Sequence, residues 1–278
     1  MKLRIFTAIP AVISAVVAIS LFSTASYAAE SSSAATAPQS GGICQGYGPQ
    51  TPRDIDNKSG SNSVTFDLDT SAADMNLCNI HFHNNAEHKA KAFSILAGEG
   101  DSQGYQCGIS KTLSEAELSA PSGEICKGLA PGDTIEVHWV HTSCDVDPGA
   151  GLGSCLSEAC ANPELRVETQ VFTLVNDSNA LSFNDINYGG NQANGLHQAK
   201  AIPSNTGIPV VFAGSTTGPS YTQQACSALQ VTWSVRPQCA KLDINTIGKW
   251  CDGNVFEEDH AHGVRKLVTD VRLLAPIK

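Results

Sequence analysis

Asn79-Ile80-His81-Phe82-His83, and Asp133-Thr134-Ile135-Glu136-Val137-His138-Trp139-Val140-His141 some fifty residues later, decide how this chain is read. Alternate side chains of an extended strand share a face, so His81 and His83 point the same way. The second stretch is rich in β-branched residues and reads as a strand over 134–140. If the two strands pair, His138 joins His81 and His83, and three imidazoles hold a zinc ion with one position left open. That opening separates a catalytic zinc from a structural one, which takes four protein ligands. Asn79 lies two residues before His81 on the same face, and Glu136 stands in the same relation to His138. Each is placed to accept the proton of the ring nitrogen that does not bind metal, fixing tautomer and orientation. The competing reading is a hydrogen-bonded polar patch. His141, at odd spacing from His138, faces the other way and is expected to be structural.

Working outward, β-prone runs at 64–68, 92–96, 165–175, 208–212, 229–235 and 265–274 are separated by Gly, Pro, Asn and Ser. Residues 112–118 suggest a short helix with Thr112 or Ser114 near its cap. There is no repeat and no second hydrophobic core. The expectation is one mainly β domain over 43–278, with few short helices on a large twisted, mostly antiparallel sheet. Lys2 and Arg4, the apolar run from Ile5 to about Phe22 and small residues at 25–29 read as a signal peptide over 1–29. Residues 30–42, rich in Ser, Ala and Gly, read as a flexible leader. No stop-transfer cluster follows, so no stable membrane association is expected after cleavage. All 10 cysteines lie beyond the signal and none forms a Cys-x-x-Cys pair, which favours disulfides in an exported, periplasmic or secreted protein. Without Lys2 and Arg4, 15 basic residues face 27 acidic ones, a net charge of −12. Such a chain, lacking a basic run, is unsuited to nucleic acid or anionic lipid.

Several separated segments resemble carbonic anhydrases. Asn-Ile-His-Phe-His (79–83) is similar to the alpha-class strand Gln-Phe-His-Phe-His, and Glu-Val-His-Trp-Val-His (136–141) to Glu-Leu-His-Leu-Val-His. Ala86-Glu87-His88 resembles the Glu-His pair that follows the first two ligands. Gly-Ser-Thr-Thr-Gly-Pro (214–219) resembles the loop Gly-Ser-Leu-Thr-Thr-Pro-Pro, and Val-Thr-Trp-Ser-Val (231–235) resembles Val-Thr-Trp-Ile-Val. The order of the segments is the same. The run from Cys78 to His88, the closing Ala-His-Gly-Val-Arg (261–265) and the cysteine-bearing stretches 98–126 and 144–160 are more similar to the delta class.

The resemblance implies an alpha-carbonic-anhydrase-like sheet and Zn²⁺ on His81, His83 and His138. It implies reversible hydration of CO₂ to bicarbonate, the metal lowering the pKa of its bound water to about 7. Thr216 would donate its hydroxyl to Glu87, with Thr217 beside it near bicarbonate. Val140, Val231 and Trp233 would line the apolar CO₂ pocket, although a rough alignment also puts Glu168 at an apolar pocket position. The histidine that shuttles protons in the family has no counterpart before His81, leaving His88, His197, His260 or His262 for that task. Asp259-His260-Ala261-His262 otherwise reads as a surface cluster. The resemblance also implies a Cys44–Cys226 disulfide. Competing readings are an inactive zinc-binding relative, a zinc hydrolase of small esters and an exported metal carrier.

Overall fold

Every residue of Thr134–Thr142 is buried, although its sequence alternates like a strand with one wet face. The reason lies in the sheet around it. The computed structural model describes residues 42–278 apart from 99–102, 124, 219 and 266–267. The expected signal, and all but the last residue of the leader, therefore lie outside the described residues. The strands are β1 (Asn76–Asn84), β2 (Phe93–Ala97), β3 (Gly104–Cys107), β4 (Thr134–Thr142), β5 (Leu165–Val175), β6 (Gln192–Ala193), β7 (Leu196–His197), β8 (Val210–Ser215), β9 (Gln230–Val235), β10 (Ala240–Asp243) and β11 (His262–Gly263). Seven of them form one mixed sheet in the order β11-β1-β4-β5-β9-β8, with β10 also paired to β5. The longest ladders, β1–β4 and β4–β5, are antiparallel. Parallel pairs join β5 to β9 and β10, and β1 to β11.

Each face of the sheet carries its own apolar core. On one face Ile80, Phe82, Ile135, Val137, Trp139, Phe172 and Leu174 pack against Ile244, Ile247 and Trp250 of helix α1 (Ile244–Cys251). On the other, Val140, Val167 and Val171 pack with Phe212, Val231, Trp233 and Val235. The polar face of β4 is buried because Ile55, Phe93, Cys107 and Ile277, from segments outside this sheet, join the core on that side. A bulge at Cys78, which is bonded to Cys155, shifts the register by one between Leu77↔His141 and Asn79↔Val140, and so sets the pairs His81↔His138 and His83↔Glu136.

Five disulfides join Cys44–Cys226, Cys78–Cys155, Cys107–Cys239, Cys126–Cys251 and Cys144–Cys160. Four of them close loops of 77 to 182 residues, long enough to restrict the unfolded chain by roughly 4 kcal/mol each. They mark an oxidising environment. Among the described residues no helix is long and apolar enough to cross a membrane.

Three expectations change. Residues 64–68 form no strand, and Phe66 and Leu68 are 43 % and 53 % exposed, so period-2 alternation there faces no partner. Residues 112–118 form a 3₁₀ turn ending at Thr112 and an isolated turn closed by Leu118 N–H to the Ser114 carbonyl at 3.1 Å. The capping box forms, with Glu117 accepting from Ser114 N–H and hydroxyl at 2.9 Å, but one turn without a buried face does not propagate. At 265–274 the described residues are loop, with Leu274 bridging to Gln50, while 266–267 lie outside the described residues.

Candidate metal centre

His81 and His83 on β1 face His138 on β4 across the sheet, as the His81↔His138 register requires. Their ring centroids lie 5.0 to 5.4 Å apart, and one nitrogen from each ring falls within 4.8 Å of the others. The second nitrogen of each paired ring has a defined partner. Asn79 Oδ1 lies 2.7 Å from His81 Nδ1, while the Asn79 amide donates to the Gly149 carbonyl at 3.1 Å, fixing which end of the amide faces the ring. Glu136 Oε1 lies 2.7 Å from His138 Nε2. Both partners are acceptors, so His81 carries its proton on Nδ1 and His138 on Nε2. The other two nitrogens, His81 Nε2 and His138 Nδ1, face each other at 3.2 Å. His83 is buried with neither ring nitrogen bonded. Burial, followed by the neighbouring His138 and His83 rings, pushes the His81 pKa well below its usual value; burial lowers His83 to about 4. Three imidazoles with one nitrogen each turned toward a common point are the donor set a zinc ion takes. The residues fit the ion.

Glu136 does more than its place before His138 suggests. It also lies 2.6 Å from His88 Nδ1 through Oε1, and accepts the His88 N–H at 2.9 Å through Oε2. Burial would raise its pKa, but His88 and His138 outweigh that and hold it well below the usual carboxylate range. His88 is fully buried, with its ring 4.8 Å from that of Trp233. It supports the site from behind and has no route to solvent for a shuttled proton. No strand pattern could reveal this, because His88 is 48 residues from Glu136 in sequence.

The threonine loop departs from expectation. Thr217 Oγ1, not Thr216, reaches Glu87 Oε2 at 3.4 Å; the Thr216 hydroxyl pairs with Ser227 Oγ at 2.6 Å. Counting the loop from Gly214-Ser215 without a gap sets Thr217 on the first threonine of Gly-Ser-Leu-Thr-Thr, a signal already present in the sequence. Glu87 is fully buried and lies 3.7 Å from His83 Nε2. The loop is anchored at its root. Thr51 Oγ1 donates to the Ser215 carbonyl at 2.7 Å and accepts its N–H at 2.9 Å, and Trp233 Nε1 donates to the same carbonyl at 3.1 Å. Gly214 permits this approach, since a Cβ there would lie 2.5 Å from Thr51 Oγ1 and 2.9 Å from Trp233 Cδ1.

Val140, Val231 and Trp233 all belong to the core on the histidine face, with Trp233 5.1 Å from the His138 ring. Glu168 does not. It pairs with Trp139 and points to the opposite face, where Arg166 Nε donates to it at 2.7 Å. The residue opposite His138 is Thr169, so the rough alignment was one position out, which exchanges the faces of a strand. His141 is buried, with Nδ1 on the Trp139 carbonyl.

Of the remaining histidines, His260 is exposed beside Asp259, and His197 bonds the Tyr188 hydroxyl at 2.7 Å. His262 neighbours both the exposed His260, with ring centroids 5.6 Å apart, and the three-histidine group. β11 sets it against His83, its ring lies 5.9 Å from His81 and 6.1 Å from His83, and both Glu258 oxygens hold its Nε2 at 2.8 and 3.0 Å.

A sheet carrying three converging histidines, backed by an amide and a carboxylate, defines a candidate three-histidine metal centre. The sequence matches the family described as delta carbonic anhydrase over residues 72–246, and the chain belongs to that family. Among solved structures it is similar to an alpha-carbonic anhydrase from Thermovibrio ammonificans in complex with the inhibitor sulfanilamide. The identity is 14%, over 80% of this chain and 84% of that one, with a TM-score of 0.30. No curated protein matches.

Proposed function

We propose that this chain catalyses reversible hydration of CO₂ to bicarbonate with Zn²⁺ held by His81, His83 and His138. The observation that carries the reading is three imidazole nitrogens that converge within 4.8 Å, one of them on a buried ring without partners. A cation at that point would give the unpartnered His83 ring a partner and join all three nitrogens. Bound there, Zn²⁺ supplies Lewis acidity and makes water nucleophilic near neutral pH.

The protein's own groups divide the remaining work. Asn79 and Glu136 fix the ring tautomers. Thr217 commits its one hydroxyl hydrogen to Glu87, which leaves its oxygen to accept from the group poised over the metal and so to orient it. Val140, Val231 and Trp233 offer the apolar wall that a nonpolar substrate needs. The proton released must leave, and His262, partly exposed at the sheet edge, is the imidazole nearest this task by position. Residues 1–29 serve as an export signal to the periplasm or exterior, a reading that the five disulfides support.

Stopped-flow CO₂ hydration by the zinc-loaded mature protein tests the proposal, with His138→Ala as the paired variant. The wild type should accelerate hydration and be blocked by a sulfonamide, and the variant should lose zinc and activity together. An active, zinc-loaded His138→Ala protein would refute the ligand set.

A further inference from the structure

Behind the Glu87–Thr217 pair lies a cation that the site geometry has not yet employed. Residues 53–55 run beside 87–89: the Arg53 carbonyl accepts the Lys89 N–H at 2.6 Å, and the Ile55 N–H donates to the Lys89 carbonyl at 2.9 Å. This clip turns Arg53 inward, where its Nη1 donates to the Glu87 carbonyl at 2.9 Å. Lys89 turns the other way, to Asp54. Two fully buried carboxylates, Glu87 and Glu136, act on the guanidinium. Burial lowers the Arg53 pKa, and both carboxylates act against that effect. Glu136 has His88 and His138 as partners. Glu87 has less: a long bond from Thr217 on one oxygen, none on Oε1, and the His83 ring at 3.7 Å. A carboxylate so placed is costly without a fixed cation close by.

We infer that Arg53 is a positioning residue that holds Glu87 as the acceptor of the Thr217 hydroxyl, and thereby sets which ligands the metal site admits. The inference rests on the function proposed above. A hydroxyl whose only hydrogen goes to Glu87 can do nothing but accept from a bound ligand, so it favours ligands with a proton to give. If Glu87 shifts, the hydroxyl is free to donate, and that preference weakens.

The test compares Arg53→Met and Arg53→Lys with wild type in the zinc-loaded mature protein. Zinc per chain, CO₂-hydration kinetics and calorimetric affinities are measured for two probes: benzenesulfonamide, which binds with an N–H to donate, and thiocyanate, which has none. Arg53→Met should keep one zinc per chain, lose roughly tenfold to a hundredfold in kcat/KM, and shift the affinity ratio toward thiocyanate by about tenfold. Arg53→Lys, which keeps the charge without the planar fork, should recover part of both effects. A methionine variant that is less stable yet keeps wild-type kcat/KM and the wild-type ratio overturns the inference. Arg53→Gln, which retains an N–H for the carbonyl, gives the same reading should the methionine variant not fold. Wild-type protein that binds no zinc and hydrates no CO₂ overturns the function itself, and this inference with it.

Discussion

Replacing Glu136 with glutamine changes one oxygen to an amide and tests whether the tautomers of the site are set as described. Glu136 receives three bonds: from His138 Nε2 at 2.7 Å and His88 Nδ1 at 2.6 Å, both on Oε1, and from the His88 N–H at 2.9 Å on Oε2. Glutamine has one acceptor end and one donor end. With its oxygen toward the two rings, its amide meets the His88 N–H donor to donor, and a buried bond is lost at a cost of about 1–3 kcal/mol. With its amide toward the rings, His138 must move its proton to Nδ1, the nitrogen that faces His81, and can no longer bind metal there. Both arrangements weaken the centre. The expected loss in zinc affinity is about 10- to 100-fold, or about 1.4–2.7 kcal/mol, the range found when the partner of a metal-bound histidine is removed. Competitive titration against a zinc chelator measures it, and circular dichroism confirms that the variant is folded. A folded Glu136→Gln protein whose zinc affinity stays within about twofold of wild type would refute the tautomer argument.

Thr217→Ala should retain zinc and lose about 10²-fold in hydration rate, since it removes the hydroxyl joined to Glu87. Thr216→Ala should instead cost about 1 kcal/mol of stability through its Ser227 bond and leave the rate nearly unchanged; reversed effects would restore the assignment first read from the sequence. His141 gives a pH prediction. Burial lowers its pKa from 6.5 to about 4, so between these values the unfolded chain binds more protons, and stability falls as pH drops through that window. The full loss below it is on the order of 3 kcal/mol. His83 adds to the same window in the zinc-free protein, so denaturant unfolding of zinc-free His141→Gln at pH 7 and pH 5 should show a smaller decline than wild type, not its absence. An equal decline would show that His141 is not held neutral.

The sheet was legible where side chains repeat with period two and both ends of a ladder carry signal. β5 spans the residues expected of it, and β4 extends its expected run by only two residues, to Thr142. The facing of His81 and His83 follows from alternation alone, and Asn79 bonds His81 because i and i−2 share a face. What alternation cannot supply is burial by a partner. Residues 64–68 alternate as well as β8 does, yet no strand lies beside them. Helix α1 escaped because eight residues give too short a period; its identity as a helix comes from Ile244, Ile247 and Trp250 meeting the core and from Asp243 capping the Asn245 N–H at 3.1 Å. Register failed at Glu168 for the same reason it succeeded at His81: a slip of one residue is invisible in composition and decisive in space.

The errors at the site share a physical origin. The rings of His81, His83 and His138 sit on two strands paired along their length, where the β1–β4 ladder fixes their facing and the five disulfides limit rearrangement. Glu168 apart, the site residues whose placement differs from expectation, Thr216, Thr217, His88 and His262, are carried on segments outside the long ladders. Such segments are held by a few side-chain contacts, most of them between residues far apart in sequence: Thr51 to Ser215, Arg53 to Glu87 and His88 to Glu136, with Glu258 to His262 a local one. A strand's geometry follows from its own residues, whereas a loop's geometry is set by whatever it leans on. The candidate metal ligands can therefore be read early, and the groups proposed to tune ligand choice only once the chain is folded. Arg53 is the extreme case, an ordinary residue in a loop until the clip to Lys89 aims it at Glu87.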